Sequence, residues 1–253
     1  MGVYLSTDEQ AFVLRVSSMG KLIVIVLAGR TFPAISSAEG DYEDWISAGL
    51  NSSLPQQVLA AWDSPEFPPL AEVAGVVVSG SHVMVTDQLP WSERLGGWLK
   101  SCVEAEIPVL GICYGHQLLA HACGGKVGNR IEGIEIGTHQ IELTAQALGD
   151  PLFGDMPPHF PANLVHFQSV LELPEAAQLL AFSAAEPHQA FRIGNCAWGV
   201  QFHPEFSAAA MDGYIQQVRL SHSADALDQA SAKVTPEAGS LLRRFGELSK
   251  SRA

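Results

Sequence analysis

The chain has 253 residues, of which 47% are apolar and 16% charged; this is the composition of a folded, core-rich protein and excludes an intrinsically disordered one. With 27 acidic and 14 basic residues the formal net charge is −13, a surface that repels polyanions and makes nucleic acid an unexpected partner. The four cysteines, at 102, 113, 123 and 196, form no CxxC pair, and a chain of this size has no need of disulfides, so a reducing, cytoplasmic setting is expected.

Residues 1–20 have mixed polarity and read as a short appended segment. KLIVIVLAG (21–29) is a buried parallel-sheet strand stopped by Gly29; its apolar run is too short for a signal peptide or membrane span. GDYEDWISAGL (40–50) predicts an amphipathic helix with Tyr42, Trp45 and Ile46 on one face and Asp41 near its positive end. AGVVVSG (74–80) is a second buried strand running into a glycine loop. A helix follows over 89–105, with Pro90 in its first turn, and then the core strand IPVLGI (107–112).

CYGHQLLAHACGG (113–125) reads as a helix stopped by Gly124 and Gly125. The stretch 126–145 predicts extended or hairpin structure, and 163–170 a strand that becomes a loop. Strands are expected over 177–184, 188–194 and 196–204, the last ending at Phe202. A helix over 207–220 has Ser207 as its cap, and another is expected at 236–249. Strand–helix–strand early and hairpins late predict an α/β protein with a mixed sheet. There is no internal repeat or linker, so the whole of 1–253 reads as a single domain, with its core at about 21–217 and terminal extensions at 1–20 and 221–253.

The sharpest chemical feature is GICYGH (111–116), where a core strand meets a helix through Gly-Ile-Cys-Tyr-Gly. This is the form of a nucleophile elbow with cysteine in the serine position. Gly111 and Gly115 let strand and helix approach closely, which forces Cys113 into an exposed, strained position. The amides that open the following helix favour thiolate over thiol, and the Tyr114 N–H is suited to holding an oxyanion. A plain core cysteine would not need glycines two residues away on both sides. Cys102, Cys123 and Cys196 lie in otherwise apolar stretches and read as core residues.

GVQFHPEF (199–206) supplies a base. His203 stands at the carboxyl end of a strand, and an extended i, i+2 relation puts Glu205 on its side. A catalytic histidine needs a second group to fix its tautomer and stabilise its charged form. A metal held by His203, Glu205 and His166 matches no common zinc spacing, and no metal or cofactor is expected.

These motifs resemble the class I, triad-type glutamine amidotransferases. GICYGHQLLAHACGG is similar to that family's nucleophile motif, AFRIGNCAWGVQFHPEF to its His-x-Glu motif, and VVVSGSHVMV (76–85) to its oxyanion strand-loop. The base lies 90 residues after the nucleophile. The resemblance implies a three-layer, flavodoxin-like α/β fold with a central, mostly parallel sheet. It implies Cys113 as nucleophile, His203 as proton carrier, Glu205 as orienter, and oxyanion donors from Tyr114 and the Gly80–Ser81 loop. It also implies that Gln117, His166, Phe167 and Gln168 shape the substrate pocket. GDYEDW (40–45) is similar to stand-alone members that resemble the amidotransferase domain of GMP synthase.

The sequence departs from the family at two places. Gly80 is followed by Ser81 and His82 where Gly-Gly-Pro is common, a change that keeps the backbone N–H. Gln168 is neutral where an acid is common. No GxxxxGK[ST] phosphate loop and no synthetase domain occur in these residues. The implied function is hydrolysis of L-glutamine to glutamate and ammonia, supplying a separate synthetase. The alternatives are a hydrolase or transferase acting on other γ-glutamyl peptides or amides, and a non-catalytic regulatory subunit on the same fold.

Overall fold

The computed structural model describes residues 20–222 and 225–252. The expected N-terminal appendage therefore lies outside the described residues, apart from Gly20. The strand β1 (Leu22–Leu27) is apolar at every position because the sheet buries both of its sides. Alternate residues sort onto two cores. Ile23, Ile25 and Leu27 pack with Tyr42, Ile46, Tyr214, Leu242 and Phe245, while Val24 and Val26 pack with Leu95, Leu99, Leu118 and Leu119. This two-residue period is what makes a three-layer protein of the chain.

One sheet has the order β2 (Gln56–Ala60), β1, β3 (Val73–Val78), β4 (Val109–Ile112), β11 (Ala197–Val200), β10 (Ala190–Ile193), β9 (Ala177–Phe182), β6 (Glu135–Leu143), β7 (His159–His166). The pairs from β2 to β11 are parallel, and those from β11 to β7 are antiparallel. A small second sheet joins β5 (Lys126–Asn129) to β8 (Gln168–Glu172). The helices α1 (Pro33–Glu39), α2 (Tyr42–Leu50), α3 (Pro90–Glu104) and α4 (Tyr114–Ala122) serve the parallel half. Asp41 caps α2 through a reciprocal pair with Asp44. Behind them in sequence come α5 (Ala208–Arg219), capped by Ser207, α6 (Asp225–Gln229) and α7 (Pro236–Lys250).

Several sequence expectations change. The stretch 126–145 is extended, as one of its two readings had it, but it is not a hairpin: β5 pairs with β8, and β6 pairs with β7 and β9. The chain stays extended on both sides of Phe167 instead of becoming a loop. The strand expected to end at Phe202 stops at Val200, and residues 201–205 bend and turn. The edge strand β2 and helix α1 have too weak an apolar period to stand out in the sequence. The helix expected at 236–249 is α7, and it packs closely: a Cβ on Gly49 would overlap the Leu242 side chain.

Candidate active site

At the end of β4 the chain reverses into α4 within one residue. Cys113 takes φ 50° and ψ −97°, a left-handed conformation that a side chain adopts only under constraint. The constraint is close packing on both sides. A Cβ on Gly111 would overlap the Gly115 carbonyl, and one on Gly115 would lie 2.6 Å from the Val78 carbonyl. The Cys113 N–H donates to the Val200 carbonyl at 2.8 Å, tying the elbow to the neighbouring strand. Its Sγ sits 3.7 Å from the Val165 carbonyl, and the residue is 6% exposed.

His203 is buried, with Nδ1 2.7 Å from Glu205 Oε1. The turn, not an extended chain, brings this i, i+2 pair together. With Nδ1 donating to the carboxylate, Nε2 is the free position, and it has no hydrogen-bond partner among the described residues. Phe206 stacks on the imidazole at 4.1 Å and 15°. Burial pushes the His203 pKa down, but the Glu205 charge and Cys113 more than offset it and raise it to about 10. The ring is thus held as imidazolium.

Cys113 and His203 open on one cavity of about 340 Å³, also lined by Tyr114, Ser81, Gln117, His166, Phe167 and Gln168. Gly80 backs onto His203: a Cβ there would lie 2.9 Å from His203 Cε1 and 3.2 Å from the Tyr42 hydroxyl. The Ser79 hydroxyl takes its place in the loop by donating to the Gly80 carbonyl at 2.9 Å. In a planar trans peptide the Ser81 N–H then points the opposite way. Ser81 and Tyr114, the first residue of α4, both line the cavity on which Cys113 opens.

The other cavity residues divide by what they already bond. Gln117 Nε2 donates to the Gln168 carbonyl at 2.8 Å and to Gln201 Oε1 at 2.9 Å, which fixes the amide and leaves its oxygen unpaired among the described residues. Gln168 Nε2 is committed to Thr86 Oγ1 at 2.6 Å and Asn129 Oδ1 at 2.9 Å. His166 has Nδ1 2.9 Å from the Gln168 carbonyl and Nε2 2.9 Å from Glu135, so it is a wall residue with neither nitrogen free.

His166 does not join His203 and Glu205 in a metal-binding set. It belongs with Glu135 and Glu186, whose ligand atoms lie within 4.8 Å of one another and of the His166 nitrogen. The Arg130 guanidinium fills the place of a cation there, 2.8 Å from Glu186 and 3.5 Å from Glu135. Burial raises the Glu135 pKa, and the His166 and Arg130 contacts outweigh that, so its carboxyl is held below the usual range. No local motif signals this cluster, because its members are spread from 130 to 186.

An aromatic wall was also hidden in the sequence. Phe32 lies 4.4 Å from the His82 ring and 5.4 Å from Tyr214, and the Tyr214 hydroxyl is 2.7 Å from that of Tyr42. Burial and then the Tyr214 neighbour raise the Tyr42 pKa well above its ordinary value, so this hydroxyl pair stays protonated.

Comparison with known proteins gives the chain's family and the breadth of its fold. A family model described as "Glutamine amidotransferase class-I" matches residues 52–220. Gamma-glutamyl peptidase 4 of Arabidopsis thaliana is 32% identical over 73% of this chain and 77% of its own length. The GMP synthase [glutamine-hydrolyzing] of Aeropyrum pernix is 32% identical over 68% of this chain, which spans 34% of that protein. The crystal structure of a glutamine amido transferase from Methylobacillus flagellatus superimposes with a TM-score of 0.69, at 22% identity and over 93% of this chain and 94% of that one, and shares its fold.

Proposed function

Because the chain belongs to the class I glutamine amidotransferase family, we propose that it cleaves the γ-amide of L-glutamine through a thioester on Cys113. His203 carries the protons, and Glu205 holds His203 in the right tautomer. The observation that carries this reading is the fixed His203–Glu205 pair, with Nε2 unpartnered in the cavity that Cys113 opens on.

The steps follow from the charges. Cys113 Sγ attacks the amide carbonyl as a thiolate, and the oxygen gains negative charge beside the Tyr114 and Ser81 amides. His203 Nε2–H protonates the departing nitrogen, which leaves as ammonia. The now neutral Nε2 takes a proton from water, whose oxygen attacks the thioester and releases glutamate. The proton returns to the Cys113–His203 pair. No metal or cofactor is needed for these steps.

A second reading has its own support. The aromatic wall of Phe32, His82 and Tyr214 extends the cavity beyond the sulfur, and space there suits a leaving group larger than ammonia. Relatives named gamma-glutamyl peptidase favour a γ-glutamyl peptide as that substrate. If glutamine is the substrate, the relatives named GMP synthase, which this chain matches over about a third of their length or less, favour a separate synthetase as consumer of the ammonia. A non-catalytic subunit would have no use for a strained cysteine beside a paired histidine. No helix among the described residues is long and apolar enough to cross a membrane.

The test is release of glutamate from L-glutamine and from a panel of γ-glutamyl dipeptides, by the wild-type chain and by Cys113→Ala. Turnover that depends on Cys113 is expected, and the ranking by kcat/KM assigns the substrate. Activity that survives in Cys113→Ala overturns the proposal.

A further inference from the structure

The turn that carries the base is held at both ends by one buried residue, Asn163 of β7. Its main-chain carbonyl accepts the His203 N–H at 2.8 Å, and its side-chain Nδ2 lies 3.4 Å from the Phe206 carbonyl. The surroundings fix which way this amide faces. Thr138 Oγ1 accepts the Lys233 N–H at 2.8 Å, so its hydroxyl hydrogen is free to donate to Asn163 Oδ1, 2.7 Å away. Around Nδ2 stand only acceptors: the Phe206 carbonyl, the Lys233 carbonyl at 3.3 Å and Thr235 Oγ1 at 3.4 Å.

The segment 231–235 is itself pinned beside β6. The Thr138 N–H donates to the Ser231 carbonyl at 2.8 Å. The approach is close because Gly137 sits at φ 108°, where a Cβ would come within 3.2 Å of the Ser231 amide. Two strands and a C-terminal segment therefore meet at one amide, and that amide reaches the backbone of the residue whose ring stacks on His203. Asn163 is fully buried, and a buried network of this kind is costly to leave half made.

We infer that Asn163, held by Thr138 and by residues 231–235, is a positioning residue for the His203–Glu205 pair. The C-terminal segment, an extension as read from the sequence, is thereby part of the active site's support. This inference rests on the reading of Cys113 and His203 as the reacting pair. Asn163, Thr138 and Thr235 do not line the cavity among the described residues, so they act through the turn and not on substrate. The need for support is physical. His203 and Glu205 lie on a bend and turn outside any strand, and a shift of about 1 Å in a reacting group costs roughly a hundredfold in rate.

The test uses Cys113 alkylation by iodoacetamide across pH, which needs no knowledge of the substrate. Around His203 stand Glu205, Cys113, His82 from the loop after β3, Tyr42 from α2 and Tyr214 from α5, and the substitutions leave all of them in place. The variants are Asn163→Ala, Thr235→Val and Thr235→Ser. Thr235→Val removes one acceptor with little change in shape and keeps the test open should Asn163→Ala fail to fold.

In Thr235→Val the acid limb of the alkylation profile should move up by about half a pH unit, as the imidazolium is held less well against the thiolate. On the best substrate kcat should fall about tenfold with KM within about twofold, and Thr235→Ser should restore both. A lower melting temperature with an unchanged profile and unchanged kcat would make the network merely structural and overturn the inference. A wild-type profile that is indifferent to His203→Ala would show instead that the underlying pair is wrong, and the inference would fall with it.

Discussion

Cys113 and His203, the proposed nucleophile and base, are held in place by different means. Cys113 is placed by an elbow written locally, two glycines between a strand and a helix, which closes against Val78 of β3 and Val200 of β11. His203 is placed from afar, by Asn163 of β7 and, behind it, by residues 138, 233 and 235. In the sheet order β7 is the edge strand farthest from β2, yet its residues reach the turn after β11. The antiparallel half thus returns over the carboxyl ends of the parallel half. A cysteine fixed by close backbone packing cannot drift without unfolding the elbow, whereas a histidine whose turn is held by side-chain hydrogen bonds can be loosened in steps.

Breaking the local side should have the largest effect. In Gly115→Ala the new methyl would meet the Val78 carbonyl at 2.6 Å and the Val78 Cβ at 2.8 Å, where backbone cannot give way. We expect a loss of about 3 kcal/mol or more in a urea titration, with loss of alkylation at Cys113. Gly97 of α3 is the control, because a Cβ there meets nothing within 4 Å. Gly97→Ala should be neutral or stabilise by up to about 1 kcal/mol through helix propensity. If both variants shift the urea midpoint alike, close packing is not what holds the elbow.

This division also explains how much the sequence revealed. The elbow was legible because its cause is local: the strain at Cys113 is written in Gly111 and Gly115. The His203–Glu205 contact was legible as a pair, but its reason was misjudged, since a turn and not an extended strand makes it. The two cores were legible in the alternation of β1. The pairing of β5 with β8 was not, because residues 126–145 carry a period of two without stating their partner. The cluster of Arg130, Glu135, His166 and Glu186 and the Asn163 network were invisible, because each joins residues tens of positions apart. Ordinary polar residues such as Thr138 and Thr235 signal nothing until the fold assembles them.

A smaller effect should follow from the base's own partner. Glu205→Gln keeps the shape of the turn but removes the charge that outweighs burial at His203. We expect kcat to fall by about a hundredfold or more with KM little changed. The pH profile gives the sign. In the proposed reaction His203 must be protonated to release the leaving amine, so activity is expected below its raised pKa and is lost as pH rises through about 10. In Glu205→Gln that alkaline limb should move to lower pH. An alkaline limb that stays in place would mean that Glu205 does not govern the charge of His203.

The smallest effect lies beneath the elbow, in a histidine that the chemistry does not use. His116, on the first turn of α4, is fully buried against Phe191, and neither ring nitrogen has a hydrogen-bond partner among the described residues. Burial pushes its pKa down to about 3, with the nearby Gly199 main chain only partly offsetting it. The unfolded chain binds this proton more readily than the folded one between that value and the ordinary histidine value of 6.5. Its contribution to stability is therefore complete above pH 6.5 and is lost as pH falls toward 3. One such group adds a slope of up to about 1.4 kcal/mol per pH unit to the acid side of the stability curve. His116→Leu should keep the apolar packing and flatten that slope, measured as unfolding free energy in urea at pH values from about 7 down to about 5. Equal slopes in the two proteins would mean that His116 already carries its proton when folded, and that the packing under the nucleophile is looser than its burial implies.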